Sequence, residues 1–411
     1  MANTLVTPSW VTKETARGYV NNLKFAGSIN REYSDEFIQS GAKVGNTVNV
    51  RMPVRFTATH GQAFQQQNIL ESTVAVTLND QVNVGMGWSS AQATTEIDEV
   101  RDRYVKPAAD SLANAVDVSA FSTVFKDVYN SVGTPGTTPA TSLLYLQAGV
   151  KLTDQSAPVS GRVAVLNPIA MATIANAQAA LFNPSGFVSS TFKSGMFASK
   201  ALGIDEWYYD QNVQSYTTGT FTASTPVCSA ASQTGASITS SGWASGATTL
   251  NKGDIITFAG VYTVNPQSYS STNQLQQFVI TSTISDTTGS ITLPISPSII
   301  TSGPLQTVSN SPANNAVISV VGSTGSVAGT MAATVTAQNL VFHPDAFTLA
   351  SADLAVPSGG AKSSFVRSKQ YGISIRWVEQ YNLLTDQNPS RFDILIGPAT
   401  LQARLACRVQ G

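Results

Sequence analysis

Charge is what this sequence has least of. Only 11% of its 411 residues are Asp, Glu, Lys or Arg, against roughly 25% in ordinary soluble domains. The 23 basic and 24 acidic side chains nearly cancel, leaving a net charge of −1. Such a balance gives no long-range attraction to nucleic acid or to an anionic membrane, and it favours self-association over mutual repulsion. Cysteine is nearly absent: Cys228 and Cys407 stand far apart and outside any CxxC pair, which excludes a disulfide framework and makes a reducing compartment the simpler expectation. Histidine occurs twice, at His60 and His343, and without an HExxH motif or a His/Cys cluster the usual zinc and non-haem iron sites lack ligands. No Walker A loop, GxGxxG or GxSxG sequence occurs, so the simplest nucleotide-binding and hydrolase signatures are missing as well. The N-terminus has no apolar core of the kind a signal peptide needs, so export by that route is not expected. One uncharged run, residues 316–335, reaches the length of a membrane span, but its Ser, Thr and Gly punctuation predicts short strands and turns.

What is present is length and pattern. A chain of 411 residues exceeds one ordinary hydrophobic core, and two or three sub-domains are expected. Residues 1–45 are mixed in character, with Leu23, Phe25, Ile29 and Phe37 scattered among polar residues, and predict an extended arm with a short helix. From Asn46 the period becomes two: Val48, Val50, Met52, Val54 and Phe56 fall on one face, Asn49, Arg51 and Arg55 on the other. A second alternating run, Val74 to Met86, follows the polar stretch TATHGQAFQQQN. Together they predict a long β-hairpin over 46–90 with a substantial loop at its tip, an element with little core of its own.

The strongest helical signal begins at Thr95 and carries Val100, Tyr104, Ala108, Leu112, Val116, Ala120, Val124 and Val128 at helical spacing, with Pro107 predicting a kink or a split. Its first half holds Glu96, Asp98, Glu99, Arg101, Asp102, Arg103, Lys106 and Asp110, a face that is either solvated with local ion pairs or meets a partner. A second helix is predicted over 142–151, a strand over 162–166, and a helix from Pro168 behind the capping Asn167. With further apolar runs at 202–209 and 340–342, these describe an α+β domain.

Between its halves, residues 213–336 change composition to Ser, Thr, Gly, Ala and Val, with Lys252, Asp254 and Asp286 the only charges. Frequent turn signals and the absence of a helical period predict an inserted β-barrel or sandwich. Within NKGDIITFAGVYTVNP, Gly253–Asp254 is read as the turn, and Ile256, Phe258, Tyr262 and Val264 as one strand face. Gly260 lies on that face, where it marks a bulge or a close backbone approach. The C-terminal runs YGISIRWVEQYNLL and RFDILIG close the chain as β-structure. Acidic pairs such as Asp205–Glu206 are ordinary surface carboxylates on this reading, and His343, before Pro344, is a turn residue.

The order of elements, together with NKGDIITFAGVYTVNP, RDRYVKPAADSLANAVD, NLVFHPDAF and RFDILIGPATLQARLACRV, resembles the major capsid (coat) proteins of tailed double-stranded DNA bacteriophages with the Hong Kong 97 fold. Within that family it is most similar to the coat proteins of short-tailed Salmonella-type phages, which carry an inserted β-barrel. The resemblance implies an α+β fold of this type, divided into an N-terminal arm (1–45), extended loop (46–90), spine helix and peripheral region (91–157), axial domain in two parts (158–212 and 337–411, the latter with C-terminal peripheral strands) and inserted barrel (213–336).

It also implies a non-enzymatic structural protein that needs no cofactor or metal and self-assembles into hexamers and pentamers of an icosahedral shell around packaged double-stranded DNA. A separate scaffolding protein and a portal would be partners, and no membrane. The location would be the virion, and the host cytoplasm during assembly. Candidate subunit-contact residues are Arg51, Arg55, His60, Phe64, Arg101 and Arg103; Gly253, Asp254, Phe258 and Gly260 are candidate structural residues of the insertion. The chain departs from relatives in having no lysine between Lys43 and Lys106, so a covalent loop cross-link has no counterpart, and in lacking a charged N-terminal extension. The insertion is poor in charge for a domain making salt bridges. The competing reading is a β-rich surface adhesin or binding module, which Ser/Thr-rich strands fit and the helix from Thr95 does not.

Overall fold

A computed structural model describes residues 24–33, 45–58, 61–62, 64, 66–89, 105–178, 200–324, 329–357, 361–368 and 373–410. The chain forms two compact units, one from Met1–Val50, Thr73–Phe121 and Phe347–Ala399, the other from Arg51–Ser72, Ser122–Ala346 and Thr400–Gly411.

The dominant helix spans Lys106–Val124, of which the part through Phe121 belongs to the first unit. Ala108, Ala109, Leu112, Ala113, Val116, Ala120 and Phe121 recur every three or four residues and are all buried, which is the stripe a core-facing helix needs. Pro107 sits in the first turn of this helix, where its missing N–H leaves no hydrogen bond unmade. The expected piece from Thr95 lies outside the described residues. A short helix, Phe25–Ser28, packs on the long one. Phe25 meets Phe121 edge-on with ring centroids 4.9 Å apart and Phe347 at 5.8 Å, while the Ala26 N–H donates to the buried Asp117 carboxylate at 2.7 Å. This part of the expected arm is therefore core rather than extension, because Phe25, Ala26 and Ile29 are all buried.

The sheet of this unit places Asp80–Ser89 antiparallel to the long strand Gln387–Thr400, which also pairs with Ile373–Glu379; Lys362–Ser368 follows at the edge. Asp393 is fully buried in that strand and accepts from Arg376 at 2.5 and 3.1 Å and from Arg391 at 3.0 Å. Val82, Val84 and Met86 thus belong to a sheet with the C-terminal strand rather than to the hairpin expected over 46–90. The hairpin itself is short: Thr47–Arg51 pairs only with Thr73–Thr77. Alternation would have carried it to Phe56, but Pro53 has no N–H to offer a ladder, and the last backbone bond joins the Met52 N–H to Ser72 O.

The second unit has a mixed sheet in the order Ser131–Gly133, Ala406–Gln410, Val335–Phe342, Val163–Leu166, Glu206–Tyr209, with Ser215–Thr217 also on Val335–Phe342. Ser142–Asp154 and Pro168–Gln178 are its helices. Asn167 caps the latter by accepting from the Ala170 N–H at 2.9 Å.

Within residues 213–336 a six-stranded sheet runs Ile318–Val320, Ile255–Val264, Ser271–Ile280, Ser290–Ile299, Gly235–Ser241, Val227–Cys228. Its two ends meet: Cys228 N–H bonds Ala316 O and Ile318 N–H bonds Pro226 O, each at 2.9 Å, so the sheet is nearly closed into a barrel. Ile256, Phe258, Val261, Phe278, Ile280, Leu293, Ile295 and Trp243 are among the side chains filling it. The run 316–335 is here short strands and turns, and no helix among the described residues is long and apolar enough to cross a membrane.

Candidate functional site: an exposed loop and a buried polar joint

The loop of residues 52–72 carries no strand among its described residues, yet its neck is fastened. The Gln67 side chain accepts from Thr57 N–H at 2.9 Å and from the Thr57 hydroxyl at 3.0 Å, and its amide donates back to Thr57 O. One glutamine replaces a rung of β-ladder there. Beyond the neck Phe64 is 89% exposed, and Phe56, Ile69 and Leu70 are also exposed. Arg51 ends the short strand and forms an ion pair with Glu71 at 3.8 Å, both in solvent, so it adds little stability. Arg55 does not share its strand face, since the strand has ended. It lies instead in the field of Tyr129 and Arg404, and the Tyr269 hydroxyl reaches Phe56 O at 3.4 Å. His60, Arg101 and Arg103 lie outside the described residues.

The insertion meets the mixed sheet of the same unit through buried polar groups. Asp254, 2% exposed, accepts from the Tyr216 hydroxyl at 2.8 Å, from Asn251 N–H at 2.8 Å and from Gly219 N–H at 3.1 and 3.2 Å. Gly219 is a glycine of necessity: a Cβ there would run into Thr249 O and the Asp254 carboxylate. Burial drives the Asp254 carboxyl above its ordinary value, against those hydrogen bonds and the Arg408 charge, and drives the Tyr216 phenol up as well. Gly253, at φ +109°, turns the chain beneath the Tyr216 ring, and its carbonyl accepts from Arg408 Nη2 at 2.8 Å. Arg408 is fully buried, and burial holds its guanidinium down to about 10.

Two further plugs complete the joint. The Gln277 side chain accepts from Ser131 N–H at 2.8 Å and donates to Ser131 O at 3.0 Å, tying a barrel strand to the edge of the mixed sheet. Asn265 donates to Asp154 O at 3.0 Å at the end of the helix Ser142–Asp154. Gly253 and Asp254 thus belong to the joint, whereas Phe258 lies in the barrel core against Phe278 at 5.3 Å.

Gly260 has φ +79° and sits where the register between Ile255–Val264 and Ser271–Ile280 shifts. The extra residues reverse the strand's phase, so Val261 is buried and Tyr262 only half-buried, contrary to the single face expected through Tyr262. His343 is a turn residue whose Nδ1 lies 3.3 Å from Asp345. No cluster of metal-ligating side chains occurs among the described residues. Sequence reasoning missed Arg408, Gln277 and Tyr216. An arginine inside the apolar run LACRV was a legible signal for the first; nothing marks Gln277.

Solved structures similar to the chain include one of Mycobacterium phage Che8 (12% identity, 94% of this chain and 90% of that one covered, TM-score 0.44). The capsid of Cyanophage P-SCSP1u matches at 10% identity over 89% of this chain and 83% of that one, TM-score 0.44, and the capsid of Ralstonia phage GP4 at 11% over 94% and 87%, TM-score 0.43. No curated protein matches. The family model described as "P22 coat protein - gene protein 5" matches residues 2–407. That match spans the loop, the long helix, the barrel and both parts of the mixed sheet, and by it the chain belongs to the P22 coat protein family.

Proposed function

We propose that this chain is a major capsid protein whose identical copies close into an icosahedral shell of hexamers and pentamers around packaged double-stranded DNA. The observation that carries the reading is the coat-protein family match over residues 2–407. The adhesin reading is not favoured, since that match takes in the helical and mixed-sheet regions as well as the strands. The subunit contacts proposed are the loop of residues 52–72 with Phe64 at its tip, Arg51 and Arg55 beside it, and His60, Arg101 and Arg103. Exposed apolar side chains on a fastened loop support this role, because ordering has been completed before a neighbour is met.

The division into arm, extended loop, spine, axial domain and inserted barrel is likewise proposed, supported by the self-contained barrel core between Phe221 and Met331. A separate scaffolding protein and a portal follow from the family reading, as does residence in the virion after assembly in the host cytoplasm. DNA is held weakly, since a net charge of −1 offers few phosphates a partner. The protein acts structurally and not as an enzyme.

Deleting residues 57–68 tests the reading. Thermal melting should remain cooperative, because the removed segment contributes no buried hydrophobic side chain among its described residues, while closed shells disappear from negative-stain micrographs. Normal shells from the deletion would remove the loop from the assembly contacts; failure of the parent protein to assemble would remove the capsid reading itself.

A further inference from the structure

Where the mixed sheet of the second unit meets the insertion, it holds buried polar atoms that the joint described above leaves unused. Arg408 lies opposite Ser131 in the parallel ladder between Ala406–Gln410 and Ser131–Gly133, and Gln410 lies opposite Gln338 in the antiparallel ladder with Val335–Phe342. Residues paired across a ladder share a face, as do residues two apart along a strand, so Ser131, Arg408, Gln410 and Gln338 form one polar patch. All four are buried. Part of the patch is satisfied: Arg408 Nη2 donates to Gly253 O at 2.8 Å and Nη1 to Gln338 Oε1 at 3.4 Å, and Gln277 holds the Ser131 backbone. Three atoms of the patch are not. Arg408 Nε, Ser131 Oγ and Gln410 Oε1 are buried with no hydrogen-bond partner among the described residues.

A buried polar atom without a partner carries the full penalty of its desolvation, and three on one patch call for a common partner. Their chemistry restricts what that partner is. Arg408 Nε can only donate, Gln410 Oε1 can only accept, and the Ser131 hydroxyl can do either. A cation would be repelled by the guanidinium. An anion would suit Nε but repel Oε1, and the Asp254 carboxylate already lies in the field of Arg408. Water both accepts and donates, and a buried molecule is held by about two to four such groups. Gly133, opposite Gln410, puts no side chain on that flank. We propose that the patch is a binding site for ordered water that bridges Arg408 Nε, Ser131 Oγ and Gln410 Oε1, so that the barrel is seated on the mixed sheet through a hydrated polar seam. Such a seam belongs to the single subunit, whether or not shells form.

A double-mutant cycle on purified subunits separates a bridged patch from an unpaired one. With water in place, Ser131→Ala and Gln410→Met each remove one of its bonds, so each should lower the melting temperature by a few degrees. The double variant should lose clearly less than the two losses added, because the second change meets a bridge already weakened. If the atoms are unpaired, deleting a desolvated hydroxyl or carbonyl is neutral or stabilising. Melting temperatures unchanged or raised would therefore overturn the seam, and so would losses that simply add. A subunit structure at a resolution that shows solvent should place water within hydrogen-bonding distance of Arg408 Nε and of at least one of the other two atoms, and it decides the matter even where a variant does not fold. Side chains bonded directly to one another there, or a melting temperature that follows chloride concentration at fixed ionic strength, would also overturn the proposal.

Discussion

At Gly260 the backbone takes φ +79°, while a Cβ added there would meet nothing within 4 Å. The glycine is therefore needed for its conformation and not for a close approach. Left-handed backbone costs an ordinary L-residue about 1–2 kcal/mol, and more when the side chain is β-branched. Asparagine tolerates it best. Gly260→Val should accordingly lower the melting temperature more than Gly260→Asn; equal losses would point to an unseen packing constraint.

Asp254 makes the opposite case, a residue held by its contacts. An asparagine would present an amide to N–H groups that need an acceptor, so Asp254→Asn should cost about 1–3 kcal/mol, the usual penalty for an unsatisfied buried group. Its pH dependence has a definite sign. Burial places the folded pKa above the unfolded one, so the folded state binds the proton more tightly. The stability this confers is complete below the unfolded value and is lost as pH rises through the folded value. Urea unfolding of parent and Asp254→Asn across the acidic range should show the parent's advantage shrinking as pH increases, and a growing advantage would contradict the assignment.

At the scale of elements, the barrel is the piece most nearly complete in itself. Its core comes entirely from residues between Phe221 and Met331, and its first and last strands close on each other. A fragment of residues 213–336 should fold alone, with dispersed amide NMR signals. It also keeps Tyr216, Gly219 and Asn251 around Asp254 but loses Arg408, whose charge pulls the Asp254 carboxyl downward; without it the carboxyl stands higher, so the fragment should keep this contribution to a higher pH than the full chain does. A collapsed spectrum would mean that the joint, and not the barrel core, holds the insertion together.

The barrel was legible in the sequence because composition changes where it begins and ends. So was the face of the long helix, since Ala108, Leu112, Val116, Ala120 and Val124 repeat at helical spacing whatever they pack against; Val128, expected to continue it, is extended beyond the helix end. The short reach of the hairpin was less so: alternation ran past Pro53, and only the missing N–H stopped the ladder. The phase reversal at Gly260 also escaped a period-two reading, because a bulge leaves the apolar count unchanged while moving the buried set from Tyr262 to Val261. The joint was least visible. Gln277 and Ser131 are 146 positions apart, and neither carries a local signal that it will meet the other.

For the whole molecule, scarcity of charge sets what kind of assembly is available. Of the ion pairs among the described residues, Arg51 with Glu71 and Lys252 with Asp127 lie in solvent within the chain and Arg376 with Asp393 is buried, whereas the loop turns the apolar Phe64 outward. Charges at the edge of an interface chiefly guide encounter, and salt screens them over about 8–10 Å at ordinary ionic strength. Burial of apolar surface is not weakened in this way, and sulfate strengthens it by exclusion from the protein surface. If the proposed contacts at Arg101, Arg103 and the exposed loop are those of the shell, the charged segment should govern how fast subunits find one another, and the apolar loop how firmly they stay. Light scattering of purified subunits should rise more slowly as sodium chloride is increased, while the final yield of shells is maintained, and it should increase in sodium sulfate. Shells that dissolve when salt is raised would show that ion pairs, not buried apolar surface, hold the copies together.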